Sequence, residues 1–215
     1  MPKLSFLVFC VSTICSTLTY AADLQNTDCD KEIKKLREAP IMLQALDAMN
    51  RIDINRGIKY YKLAIQENNP RAMLVLGMLY HGGKLTPQND TEAIRLIKSA
   101  AEQGYCEAQN TFGFLYESGE MVNQNFEEAL LWHKAAAQGS DDAWGRLSRM
   151  YKYGQGTSIN YVKAHMWMNL RSARYIPEVY GRELDRLEKR MTRQQISQAH
   201  KLAAQCLASN FKQCD

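Results

Sequence analysis

The sequence predicts an all-α protein: a solenoid of helical hairpins closed at its C-terminal end by helices outside the repeat. Three observations predict it. A set of small, apolar and aromatic residues recurs at a displacement of 36 and then 35 residues. Within each copy these residues fall at helical rather than strand spacing. Residues 174–215 keep the helical spacing and lose the repeat.

The repeat is read residue by residue. Ala72, Leu76, Gly77 and Tyr80 return as Ala108, Phe112, Gly113 and Tyr116, and again as Ala143, Leu147, Ser148 and Tyr151. Gly83, Gly119 and Gly154 follow the tyrosine by three residues; Ala93, Ala129 and Ala164 follow it by thirteen, with Leu96, Trp132 and Trp167 three further on. A fixed period of this length marks a supersecondary unit that buries its apolar face only by stacking on its neighbours.

Each unit reads as two helices. In the first, the small residue, the Leu or Phe, the Gly and the Tyr lie close to one face at 3.6 residues per turn. A glycine turn and a polar stretch, such as Thr86 to Asp90, lead into the second helix. Ala93, Leu96, Ile97, Ala100 and Ala101 mark the second helix in one unit, and Ala129, Trp132, Ala136 and Ala137 in the next. Gly104 and Gly139 are expected to close these helices in the left-handed conformation.

Upstream, Gly57, Tyr60, Ala64 and Ile65 match Ala93, Leu96, Ala100 and Ala101 at the same displacement. They predict a degenerate unit with its first helix over 41–49, after Pro40, and residues 28–38 read as one more amphipathic helix. Downstream of Pro177, Tyr180, Leu184, Leu187 and Met191 form a helical stripe. Thr192 with Gln195 has the spacing of a capping box, and Ile196, Ala199, Ala203 and Cys206 form the stripe of the last helix. Such helices suit the end of a solenoid, where an exposed apolar face needs a cover.

The N-terminus reads as a secretory signal: Lys3, the apolar run Leu4 to Ile14, and a small-x-small site at Thr19-Tyr20-Ala21, with cleavage expected after Ala21. Phe9 before Cys10 and Ile14 before Cys15 do not fit a lipoprotein signal. The chain thus divides into a signal peptide (1–21), N-terminal helices with the degenerate repeat (22–67), three clear repeats (68–173) and a cap (174–215). A periplasmic or secreted location follows. Residues 1–21 carry one basic and no acidic residue, so the net charge of +4 becomes +3. That excess is too small and too dispersed for nucleic acid, and no apolar run reaches the ~20 residues of a membrane span.

Cleavage leaves Cys29, Cys106, Cys206 and Cys214, an even number in an oxidising compartment. Four cysteines allow three pairings. The short separation at a helix end favours Cys206 with Cys214, leaving Cys29 with Cys106. No CxxC occurs and no histidine neighbours a cysteine at ligand spacing, so no metal and no cofactor is expected.

The run Ala72 to Tyr80, then Gly83, Asp90-Thr-Glu-Ala93 and Lys98 to Gly104, resembles the Sel1-like repeat, a helical hairpin related to the tetratricopeptide repeat. The second unit matches through Ala108, Gly113, Tyr116, Trp132 and Gly139. The third departs, with Ser148 in place of the glycine and Arg171 and Ser172 in place of the alanine pair. The resemblance implies an adaptor that binds proteins or peptides; such proteins are often exported by bacteria and act in the envelope or in contact with a host.

Catalytic readings find little support. His81, His133, His165 and His200 include no pair four apart, so no HExxH helix exists. Ser209-Asn-Phe-Lys212 is an SxxK, and the resemblance gives it interest because some Sel1-repeat proteins have been described as penicillin-binding or β-lactamase-like. Its companion motifs SDN and KTG are absent. Gly154-Gln-Gly156 follows no strand and reads as the repeat turn. Arg182, Arg186 and Arg190 share a helix face with acidic neighbours and read as a solvated surface. No catalytic residue is assigned, and a structural role in the envelope, such as a flagellar-motor component, is a further alternative.

Binding is expected on the concave face, lined by the first helix of each hairpin. Offsets 2, 6 and 9 from the leading alanine leave the packing face. They give Leu74, Met78 and His81, then Asn110, Phe114 and Glu117, then Gly145, Arg149 and Lys152. Met78 and Phe114 are expected to form an exposed apolar patch flanked by charge, a surface suited to a protein or peptide partner.

Overall fold

The computed structural model describes residues 40–50, 53–174, 177–212 and 214. The expected signal peptide, the 28–38 helix and Cys29 lie outside them. Ten helices follow one another among the described residues: α1 (Pro40–Asn50), α2 (Ile54–Gln66), α3 (Pro70–Gly82), α4 (Asp90–Glu102), α5 (Cys106–Ser118), α6 (Phe126–Ala136), α7 (Asp141–Tyr153), α8 (Tyr161–Arg174), α9 (Pro177–Glu188) and α10 (Arg193–Ala208). They pair as α1/α2, α3/α4, α5/α6 and α7/α8, each hairpin packs on the next, and α9 and α10 both pack on α8.

Repeated backbone contacts build the hairpins. Asn89 and Asn125 cap α4 and α6 with side-chain oxygens that accept from backbone N–H groups of the first turn, and Asn160 accepts from Lys163 N in the same way. These caps satisfy donors that a helix start leaves unpaired. The N–H of each asparagine also donates to the carbonyl of its unit's tyrosine, at 3.0 Å for Tyr80, 2.9 Å for Tyr116 and 2.8 Å for Tyr151. The sequence marks the tyrosine and the structure adds its carbonyl as the clasp of the turn.

Close approach explains the helix glycines. A Cβ on Gly77 would stand 2.8 Å from Ile97 Cγ1 and 3.1 Å from the Ala93 carbonyl oxygen; one on Gly113 would stand 2.9 Å from the His133 ring. Ser148 breaks this pattern: its hydroxyl donates at 2.7 Å to the carbonyl of Ala164, the counterpart of Ala93.

Two expectations are corrected. Gly104 takes the left-handed conformation (φ +85°) and Asn68, one period earlier, does likewise at φ 58°. Gly139 does not, because its helix ends early at Ala136, whose carbonyl accepts from both Gly139 N and Ser140 N. In α2 the buried tyrosine is Tyr61, while the aligned Tyr60 is half-buried and lies under Arg56.

Among the described residues the core forms two clusters. Met42, Tyr61, Leu76, Leu96, Phe112 and Leu115 belong to the N-terminal one; Trp144, Leu147, Met150, Trp167, Leu187 and Cys206 belong to the C-terminal one. Tyr116 touches both. The two repeat-position tryptophans are packing residues: Trp167 is buried, and Trp132 meets Phe112 edge-on at 5.0 Å. Thr192 and Gln195 make both bonds of the expected capping box.

Candidate functional site

The first helices α3, α5 and α7 carry the expected binding residues, and the structure divides them sharply. Met78 is 41% exposed. Phe114 is half-buried because Arg146, on the next hairpin, lies over its ring at 4.3 Å. Leu74 is buried in the N-terminal core and presents nothing to a partner. The apolar patch therefore reduces to Met78 and the uncovered edge of Phe114.

The polar positions join neighbouring units. His81 stands 2.9 Å by Nδ1 from Asp90 of α4 and 3.1 Å by Nε2 from Glu120, beyond α5. The Asp90 and Glu120 carboxylates raise its pKa against partial burial. Glu117, whose side chain is only 10% exposed, pairs with Arg146 at 2.9 Å and with Arg149, both on α7. Lys152 pairs with Glu183 of α9, so the largely buried ammonium ties the last repeat to the cap instead of facing a groove. Arg149 remains half exposed.

Glu117 is the electrostatic centre of this surface. Burial pushes its carboxyl up, but His133 and the two arginines outweigh that cost and hold its pKa at about 2. The His133 ring is buried, which lowers its pKa. Its Nδ1 stands 2.9 Å from Asn110 Oδ1, whereas Nε2 is 3.5 Å from Glu117 Oε2, too far for a good hydrogen bond. Asn110 thus positions an inner imidazole as well as lining the surface. Arg146 was not expected here: it sits at offset 3 from Ala143, and only the approach of α7 to α5 brings it over Phe114 and Glu117.

The cysteines and the SxxK meet at the end of α10. Cys206 and Cys214 lie with their sulfurs 1.91 Å apart and their Cα atoms 4.5 Å apart. The intervening tail turns through Asn210 and Phe211, both at positive φ, and lays Phe211 on Trp144 with ring centroids 5.0 Å apart. Ser209 caps the helix, its hydroxyl donating to the Cys206 carbonyl at 2.9 Å, and Lys212 is exposed. Cys106 is buried at the start of α5; its expected pairing with Cys29 lies outside the described residues. Arg182, Arg186 and Arg190 are exposed, the last two directed to Glu183 and Tyr161.

Histidine spacing alone pointed to no metal site, yet folding assembles one such group. His165, Glu188 and His200 come together from α8, α9 and α10. Their sequence separations, 23 and 12 residues, follow no ligand motif.

Stacked helical hairpins with one partly open face define a repeat solenoid of the kind that mediates protein–protein interaction. The sequence model of the Sel1 repeat matches residues 45–69, 70–105, 107–141 and 145–170, and the chain belongs to the Sel1 repeat family. Among solved structures, a protective antigen present in uropathogenic Escherichia coli strains, displaying an SLR fold, superposes with a TM-score of 0.64 at 24% identity, over 73% of this chain and 34% of that one. A Sel1 repeat protein from Oxalobacter formigenes superposes with a TM-score of 0.59 at 27% identity, over 64% of this chain and 55% of that one. The chain spans about a third of the first and just over half of the second. No curated protein sequence matches it. Among the described residues no helix is long and apolar enough to cross a membrane.

Proposed function

We propose that this chain is an exported adaptor of the bacterial envelope or of host contact, holding a protein segment against α3, α5 and α7. The observation that carries the reading is Met78, a large exposed apolar side chain on the first-helix face of a protein-interaction fold. Arg149 and Arg146 lie on the same face two units along and supply positive charge, so an apolar anchor followed by an acidic residue is the complementary motif. Export is supported by the charged, apolar and small-x-small order of residues 1–21 and by the Cys206 and Cys214 sulfurs at bonding distance.

The test is crosslinking of the purified protein in envelope extract, with Met78→Asp and Arg149→Glu as surface variants. A partner captured by the parent and lost from both variants, with the helical circular dichroism of the parent retained at the assay temperature, supports the groove. Equal capture by all three removes it. Labelling with a fluorescent penicillin separates the hydrolase reading, which requires a label that disappears in Ser209→Ala.

A further inference from the structure

We propose that His165, Glu188 and His200 bind a divalent transition ion of the zinc class, linking the last repeat to both cap helices. This goes beyond partner binding and stands on a different part of the molecule. One ligand atom from each of the three residues lies within 4.8 Å of the other two. Zinc bonds of about 2.0 to 2.2 Å place neighbouring tetrahedral ligands about 3.3 Å apart, so closing on an ion moves each atom by under about 1 Å. His165 Nε2 and Glu188 Oε1 already stand 3.0 Å apart. The His165 and His200 rings meet edge to face at 5.2 Å.

The surroundings favour a cation. Glu188 is the final residue of α9, where the negative end of the helix dipole disfavours a carboxylate and favours a positive charge. Arg190, two residues on, is a positive charge that opposes a second one, but it is exposed, where solvent screens it, and is engaged with Tyr161, donating to Oη and lying over that ring. His165 is fully buried, yet its Nδ1 has no hydrogen-bond partner among the described residues. Its imidazole is held by the Glu188 contact, which coordination would replace, and by the edge-to-face His200 ring. Asn169, one turn beyond His165, has its amide 2.8 Å from His200 Nδ1; turned so that Oδ1 accepts the Nδ1–H, it frees His200 Nε2 for the ion and orients that exposed ring from outside the coordination sphere.

Two imidazoles and one carboxylate select the metal class. Nitrogen donors suit Zn2+, Co2+, Ni2+ and Cu2+, whereas Mg2+ and Ca2+ require oxygen-rich sets. Burial decreases from His165 through Glu188 to His200, which leaves the ion reachable from solvent and a further coordination position for water. Metal ligands must be deprotonated to coordinate, so affinity falls in acid.

The experiment uses untagged protein freed of metal by chelation and titrated with Zn2+ in a calorimeter. Thermal melts with Zn2+ and with Mg2+, and the visible spectrum of Co2+, accompany the titration. The expected result is one Zn2+ per chain, a raised Tm with Zn2+ but not Mg2+, and the intense Co2+ bands of a low-coordinate site. His200→Ala, on an exposed position, should leave the metal-free Tm near that of the parent and abolish the Zn2+ response. Asn169→Ala should weaken binding by roughly tenfold to a hundredfold. Absence of a Zn2+ response in the parent overturns the proposal, and so does an unchanged response in His200→Ala.

Discussion

The first clear hairpin and the third solve one packing problem in opposite ways. In α3/α4 the helices touch because Gly77 has no side chain, and Ile97 and the Ala93 carbonyl occupy the space. In α7/α8 a hydroxyl at the same position bonds the equivalent carbonyl, that of Ala164. Buried polar atoms are tolerated where they are paired. The contrast extends outward: the first unit closes with small alanines, whereas in the third Arg171 passes over Gly145, stacks on Tyr180 at 4.7 Å and pairs with Asp142 at 3.4 Å. A repeat that ends the array thus spends its variation on reaching the cap.

The largest expected effect is at the third turn. Gly156 has φ +66°, and a Cβ there would stand 2.1 Å from the carbonyl oxygen of Phe126, backbone that has no rotamer to change. Gly156→Ala should destabilise the protein by about 3 kcal/mol or more, combining overpacking with left-handed strain. Chemical denaturation measures it; a loss below about 1 kcal/mol would mean that the third turn does not rest on α6 as described. The preceding unit places Met121 at the same offset with φ 65°, so Met121→Ala should cost much less.

The cap comes next. Closing the short loop between Cys206 and Cys214 contributes roughly 2 to 3 kcal/mol in the chain-entropy model. Cys214→Ser should lower stability by that amount under oxidising conditions and by little under reduction. Because Phe211 stacks on Trp144, tryptophan fluorescence should report the loosened tail. If the parent is insensitive to reductant, the bond does not form.

Between the two regions, Glu117 joins α5 to α7, and Glu117→Gln should cost about 2 kcal/mol near neutral pH by weakening charged hydrogen bonds to Arg146 and Arg149. Its depressed folded pKa, about 2 against an ordinary 4.5, gives a stability that is complete above the unfolded value and lost as pH falls towards 2. His133, also depressed, adds a loss that begins below its ordinary 6.5. Urea melts from pH 7 to pH 3 should therefore show falling stability, with a shallower fall below pH 4.5 in Glu117→Gln. An identical slope in parent and variant would remove Glu117 from the acid response.

The smallest effect tests the opening contrast directly. Ser148→Ala should cost about 1 kcal/mol for the lost bond to the Ala164 carbonyl. Gly77→Ser should also destabilise, because Ile97 blocks the space. Adding Ile97→Met reproduces the residue at the equivalent place in the third unit, Met168, and should recover part of the loss in thermal melts. No recovery would show that the third hairpin tolerates its serine for a reason other than that neighbour.

Much of this was legible from residue types because the repeat writes each packing position several times. Ala93, Leu96, Ile97, Ala100 and Ala101 are buried as their stripe requires, and Thr192 with Gln195 caps α10 because a capping box is local in sequence. The surface positions were less legible. Offset along a helix tells which side chains leave one packing face, but not whether the next unit covers them: Leu74 entered the core, Lys152 found Glu183, and Glu117 found Arg149 from 32 residues away.

The sequence by itself determined the all-helical class, the hairpin period and the helix-capping pattern, because these depend on residues separated by one turn or one repeat. Tertiary structure alone decided which charges pair, which aromatic faces stay open, and that His165, Glu188 and His200 share one place. Those outcomes depend on the angle at which one hairpin stacks on the next and on how the cap folds back. A few degrees in either carries a side-chain tip several ångströms, and no local spacing encodes them.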